Sequence, residues 1–295
     1  MFTFGPLNSR RFGISLGIDL SPKQKSCNYD CVYCELEAAK PVSSIENPPK
    51  VDDIVKEVKL KLKEYPDTEV ITITSNGEPT LYHDLEELVD DLNKIKQDKK
   101  LLILSNGSTV CDERVKKSLK KIDIVKLSLD CATSRCFKKI DRPLKEIDHD
   151  SIVECLKDLD LKTLVIEILL VKEINDKEDE IKAINHILQE IKPDRVDIGT
   201  IDRPPAYKVE KVEEDRVVEL SKLIKNIPVS VIRKNLPKVK QDFTKDELLQ
   251  LLKHRPQSQF DVNSFFSEKS KKILEKLCHD KIVSMENIGG VIFYR

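Results

Sequence analysis

Apolar and polar positions along this chain fall into blocks whose period switches between two and about 3.6 residues. Residues 51–65 carry Val51, Ile54, Val55, Val58, Leu60 and Leu62, a helical spacing. Residues 69–75 are rich in β-branched side chains and predict a strand. The alternation then repeats. Helices are predicted over 85–95, 112–121, 151–159, 177–191 and 212–224. Strands are predicted over 100–105, 123–130, 163–171 and 195–201, with a short last one over 228–232. Upstream, the apolar half of segment 4–20 predicts a first strand ending near Leu20. Its glycine-rich first half reads as a capping loop, and one of the pair Arg10 and Arg11 is a candidate for meeting an anionic group. Six strand–helix units in sequence predict an α/β fold with a parallel sheet buried on both faces. Six is short of a closed eight-unit barrel, and in either architecture the ligand site lies at the carboxyl ends of the strands.

The pattern changes near Thr244. Thr244 and Glu247 have the spacing of a capping box, and a leucine-rich helix follows. After a break at Pro256 come segment 261–266, a helix over 268–279 and a hairpin around Gly289 and Gly290. Three short helices and a hairpin predict a small winged-helix-like appendage, a fold that often places a helix in the major groove. From Thr244 onward there are nine Lys and Arg against seven Asp and Glu. That surplus is small for phosphate binding, so a protein contact or substrate lid is weighed beside a nucleic-acid role. The expected division is a barrel over 1–235 and an appendage over 244–295.

Composition narrows the class further. Of 295 residues, 35% are charged and 39% apolar, and the net charge is −1. Enough apolar surface exists for a core, and no global charge draws the chain to nucleic acid. No apolar run of about 18 residues is present, so no membrane span is expected. The start lacks a charged segment followed by an apolar one, so no signal peptide is expected. Eight cysteines in such a chain fit a reducing, cytoplasmic setting better than a disulfide scaffold.

Three of those cysteines stand together at Cys27, Cys31 and Cys34. Thiolates are soft ligands for iron–sulfur clusters and zinc. A [4Fe–4S] cube normally takes four cysteines, so three leave one iron open. Structural zinc wants a fourth ligand, and the nearest candidates in the chain are His83 and Cys111. A zinc-stabilised winged-helix regulator without catalysis is the alternative reading. The spacing of the three thiols, with Tyr33 just before the last, resembles the signature of radical S-adenosylmethionine (SAM) enzymes. The run Gly5-Pro6, Ser9-Arg10-Arg11, Gly13 and Ser15-Leu16-Gly17 resembles a stand-alone subgroup similar to wyosine-type tRNA-modifying synthetases.

The resemblance implies an open (β/α)6 partial barrel, a [4Fe–4S] cluster on Cys27, Cys31 and Cys34, and SAM on the open iron. One electron from a flavodoxin- or ferredoxin-type reductant then yields a 5′-deoxyadenosyl radical, which removes a hydrogen atom from substrate. Ser75-Asn76-Gly77-Glu78-Pro79 stands where the family has Gly-Gly-Glu-Pro, which implies that Gly77 and Glu78 meet the methionine ammonium. Asn76 departs from the first glycine. Ser105 and Asn106, Ser128 and Asp130 end the next two strands and are implied cofactor contacts, the latter pair for ribose. For Asp130, capping of the next helix is the competing role. Glu167 inside an apolar strand is either a polar barrel-interior position or an outward residue. Asn175-Asp176 and 202–205 are candidates for the substrate rim. The remaining cysteines are expected to be small buried hydrophobes, with Cys131 able to face the cavity. The substrate is open between a tRNA base and a protein or peptide.

Overall fold

The computed structural model describes residues 1–9, 11–231, 240–254, 257–288 and 291–295. Arg10, the end of the last expected strand at Ile232, the Pro256 break and the turn at Gly289 and Gly290 lie outside the described residues. The strands and helices follow in order: β1 (Thr3–Ser9), β2 (Gly13–Asp19), α1 (Val51–Glu64), β3 (Val70–Thr74), α2 (Leu85–Ile95) and β4 (Lys100–Ser105). Next come α3 (Glu113–Lys120), β5 (Ile124–Ser128), α4 (Ser134–Ile140), α5 (His149–Lys157) and β6 (Leu164–Leu170). The barrel part ends with α6 (Glu178–Ile191), β7 (Arg195–Thr200), α7 (Glu214–Ser221) and β8 (Val229–Val231).

All eight strands form one sheet in chain order, parallel from β2 to β8, with β1 antiparallel to β2. The sheet does not close, so this is an α/β partial barrel. Strand β1 corrects the expectation of a capping loop over the start of the chain. Its Phe4 ring lies on Gly17, where a Cβ would come within 2.2 Å of it. A strand built on such a contact has no apolar alternation of its own to announce it. Helix α4 was also not expected; it is a single short stretch capped by Thr133.

The two faces of the sheet differ. Ile71, Ile73, Val125, Leu127, Ile166 and Ile168 point outward under the helices and are fully buried. Alternate residues point into the lumen, where Lys126, Glu167 and Asp197 meet Arg11 from the β1–β2 turn. Arg11 reaches Asp197 at 2.5 Å and Glu167 at 3.1 Å, and Lys126 reaches Glu167 at 2.5 Å. Arg11 thus does meet anionic groups, and Glu167 is a lumen residue. Burial works against the Glu167 charge, but Lys126 and Arg11 outweigh it and hold the carboxyl below its ordinary range.

A second apolar cluster lies in the C-terminal part, around Phe243, Leu248, Leu251, Phe266, Leu274 and Leu277. It is formed by α8 (Lys245–His254), β9 (Gln257–Ser258), α9 (Gln259–Phe265), α10 (Glu268–His279), β10 (Met285–Ile288) and β11 (Val291–Tyr294). The strands pair antiparallel in the order β10–β11–β9. The capping box forms: Thr244 N and Oγ1 donate to Glu247 Oε2, and Glu247 N donates to Thr244 Oγ1. Glu247 also accepts from Lys61 Nζ at 3.0 Å and Tyr65 Oη at 2.8 Å, tying α8 to α1.

Burial alone would raise the Glu247 pKa, but the Thr244, Lys61 and Tyr65 bonds hold it below the ordinary carboxylate value. Its stabilisation is therefore present above the unfolded-state pKa and lost as pH falls through the folded-state pKa. Glu247→Ala is expected to lower the unfolding free energy at neutral pH by about 2 kcal/mol. In urea melts, the gap between wild type and variant should shrink as pH drops below the usual carboxylate range.

Candidate active site

The loop between β2 and α1 crosses the carboxyl ends of the strands and is fastened there by its backbone. Ser26 N donates to the Asn76 carbonyl at 2.8 Å, and Glu78 N donates to the Ser26 carbonyl at 2.9 Å. Gly77, between those partners, has φ +140°, and a Cβ on it would lie 1.8 Å from the Ser26 carbonyl oxygen. Further along, Asp30 N donates to Asp141 O at 3.0 Å and Val32 N to Ile140 O at 2.8 Å, at the end of α4. Ala206 N, in the loop after β7, donates to Cys34 O at 2.9 Å. Three distant segments thus hold one loop.

That loop carries Cys27, Cys31 and Cys34 as free, half-buried thiols. Cys27 Sγ accepts from Tyr29 N at 3.5 Å and Asn106 Nδ2 at 3.7 Å. Cys31 Sγ donates to Asp141 Oδ1 at 3.3 Å, and Lys25 Nζ lies 3.4 Å from Cys34 Sγ. Burial, with Glu78 adding to it, pushes the Cys27 thiol up to about 12. Burial and Asp141 push Cys31 well above an ordinary thiol. For Cys27 and Cys31, burial and the neighbouring carboxylates disfavour the charged form.

The other expected residues gather around the same loop, in unequal settings. Tyr33 Oη donates to Asp130 Oδ2 at 2.5 Å and lies 3.5 Å from Asp141 Oδ1. Asp130 also accepts from Leu169 N, and burial raises its pKa to about 7. Asp130 does not cap α4, since Thr133 does. Glu78 is only 1% exposed. Its carboxylate accepts from Thr80 N, Thr80 Oγ1, Ser105 Oγ and Asn106 N. Burial raises its pKa against the pull of those bonds. Asn106 turns its side chain to the cysteine loop and donates to Asn28 Oδ1 at 2.9 Å. Ser128 is half-buried on the lumen wall, in register with Glu167.

Several residues around the loop were not read from the sequence. Asn28, Asp141 and Lys25 have ordinary surroundings in the chain, and only their approach to the loop gives them a role. The expected rim divides. Asn175 is fully buried, and its amide donates to the Asp130 and Leu169 carbonyls, so it is a strut. Arg203 is 5% exposed and pairs with Glu35 of the cysteine loop at 3.2 Å. Arg142 lies over the Tyr207 ring at 4.3 Å, and Tyr207 Oη donates to Asp30.

Four of the five remaining cysteines correct an expectation, while Cys278 is free and half-buried. Cys111 pairs with Cys155, and Cys131 with Cys136. Cys131 is 1% exposed and lies within the main apolar cluster. Nothing in the spacing reveals such pairs, because the folding of helix ends onto strand ends creates them.

A family model described as the Radical SAM superfamily matches residues 21–183. This chain belongs to the radical SAM superfamily. It is an enzyme of the class that cleaves SAM at a [4Fe–4S] cluster. A UPF0026 protein of Helicobacter pylori is 38% identical over 99% of this chain and 96% of its own length. A protein named GTPase Obg from Brachyspira hyodysenteriae is 33% identical over 99% of this chain and 44% of its own length. Among solved structures, TYW1 with a lysine-pyruvate adduct bound shares the fold, with a TM-score of 0.55 and 20% identity. It covers 72% of this chain and 74% of that one. SuiB of Streptococcus suis bound to S-adenosylmethionine gives 0.57 and 17%, covering 74% and 50%.

The loop's donor set fits the radical SAM cluster. Among the described residues, the group of three potential ligand atoms lying within 4.8 Å of one another is Cys131, Cys136 and Glu180. The sulfurs of Cys27, Cys31 and Cys34 are spread wider. A tetrahedral zinc with Zn–S bonds of about 2.3 Å needs sulfurs roughly 3.8 Å apart. A cube of four irons takes a wider set than one zinc ion, and its positive charge would favour the thiolate forms of Cys27 and Cys31. The zinc-regulator alternative falls with the family assignment.

Gly77→Ala puts a methyl group into the Ser26 carbonyl at a backbone angle that L-residues avoid. The expected result is a loss of about 2–3 kcal/mol in unfolding free energy, with faster amide exchange at Ser26 and Glu78 than in wild type.

Proposed function

We propose that Cys27, Cys31 and Cys34 each bind one iron of a [4Fe–4S] cluster and leave the fourth iron for SAM. The observation that carries this reading is three free thiols on one fastened loop at the carboxyl ends of the strands. When bound, the pair supplies a 5′-deoxyadenosyl radical for hydrogen abstraction.

The chain's own residues divide the work of holding SAM. Gly77 offers backbone that approaches closely because it has no side chain. Glu78 acts from below: it takes the Ser105 hydroxyl and the Asn106 amide and so fixes the next strand end. Its burial makes this support a second task beside the expected ammonium contact. Asn106 and Ser128 present polar groups toward the cofactor. Tyr33 and Asp130 form one hydrogen-bonded wall beside Cys31. The substrate enters the lumen, whose wall carries Leu104, exposed at 38%, beside Lys126 and Glu167. It is a tRNA base or a protein or peptide residue. The electron comes from a flavodoxin- or ferredoxin-type partner. A reducing cytoplasm suits the three free thiols, and there the two cysteine pairs would be dithiols.

The chain further divides into a barrel over 1–235 and a winged-helix-like unit over 244–295. The separate apolar cluster and the three-helix, three-strand order support this division. No helix of the described residues is long and apolar enough to cross a membrane.

Anaerobic reconstitution with iron and sulfide should give about four irons per chain and dithionite-dependent release of 5′-deoxyadenosine from SAM. Cys31→Ala should lose both. A Cys31→Ala protein with full iron and undiminished SAM cleavage would overturn the assignment. Tyr33→Phe should keep its iron and bind SAM more weakly, by about tenfold, in equilibrium dialysis.

A further inference from the structure

The three thiols do not share one electrostatic setting. Cys31 faces a carboxylate, with Asp141 Oδ1 at 3.3 Å and Asp130 beyond it across Tyr33. Cys27 faces two neutral donors, Tyr29 N and Asn106 Nδ2. Cys34 faces a full positive charge, the Lys25 ammonium at 3.4 Å. That ammonium has a second partner. Its Nζ also donates to the Glu37 carbonyl at 2.9 Å, across the cysteine loop. At its backbone end, Lys25 immediately precedes Ser26, which is fastened to both sides of Gly77. The side chain is therefore anchored at root and tip, with Cys34 Sγ beside the tip.

Reduction adds one negative charge to an iron–sulfur cluster and its thiolates. A fixed cation beside a ligand sulfur stabilises the reduced form more than the oxidised one, and so raises the potential. The effect is larger where the site is sheltered from water, as this half-buried loop is. Carboxylates on the Cys31 side act in the opposite sense. Among the described residues, Lys25 is the cation in hydrogen-bond contact with a sulfur of the trio.

We propose that Lys25 is a positioning residue that raises the reduction potential of the cluster by holding its ammonium against the Cys34 sulfur. The inference rests on the reading that the three thiols carry a [4Fe–4S] cluster. One electron enters the cluster from the external reductant, and no bond is made or broken at Lys25.

Anaerobically reconstituted wild type, Lys25→Met and Lys25→Arg can be poised at a series of potentials with dithionite and redox mediators. The reduced fraction is then read by electron paramagnetic resonance, with iron content measured on the same samples. At the wild-type midpoint, Lys25→Met should show a reduced-to-oxidised ratio about tenfold lower at equal iron content. Lys25→Arg should stay within about threefold, because it restores the charge. A Lys25→Met protein with full iron and an unchanged ratio overturns the inference and leaves the cluster reading intact. Loss of iron from Lys25→Met but not from Lys25→Arg also overturns it, since the ammonium would then serve assembly and not potential. Wild type that takes up no iron overturns the cluster reading itself.

Discussion

The approach of the Ser26 carbonyl to Gly77 is the contact on which the rest of the site depends. It sets where the cysteine loop leaves the sheet, because the hydrogen bonds on either side of Gly77 fix the loop's direction. A side chain at position 77 would push the loop away from the strand ends. From that anchor the chain can reach the end of α4 with Asp30 and Val32, and the loop after β7 with Cys34. These backbone bonds carry no chemistry themselves. They convert a flexible stretch of thiols into a fixed donor set, at a point where a parallel sheet opens toward ligand.

Charge in the barrel is layered in the same way. Deep in the lumen, Arg11, Lys126 and Arg195 face Glu167 and Asp197, with Asp197 wholly buried. Such a cluster is poor evidence for stability, since desolvating its members offsets most of their attraction. It does fix the β1–β2 turn against β6 and β7 through Arg11. Near the carboxyl end the balance changes. Asp130 and Asp141 crowd around Tyr33 and Cys31, and burial raises both carboxyls. The cysteine loop thus sits between a carboxylate-rich wall on one side and the Lys25 ammonium on the other.

Most of the architecture was legible because the strands and helices obey local rules. The β-branched runs, the helical spacings and the Thr244 and Glu247 box each encode their element within a few residues. Strand β1 was not legible, since Phe4 is held by Gly17 of the neighbouring strand and not by a pattern of its own. The site divides along similar lines. The thiol trio could be read because all its ligands lie within eight residues of chain. Glu78 could be located but its task could not. Whether its carboxylate faces a ligand or the Ser105 and Asn106 turn depends on a strand 27 residues away.

By itself, the sequence determined the element order, the parallel α/β class and the presence of three soft donors on one loop. These are local properties, set by periodicity and by covalent spacing. Only the tertiary structure decided which groups surround each sulfur, which carboxylates are buried and that Glu167 points inward against Arg11. Those outcomes depend on contacts between residues up to 186 positions apart. Burial and proximity set the energy of a charge, and neither is a property of the residue or its neighbours in the chain.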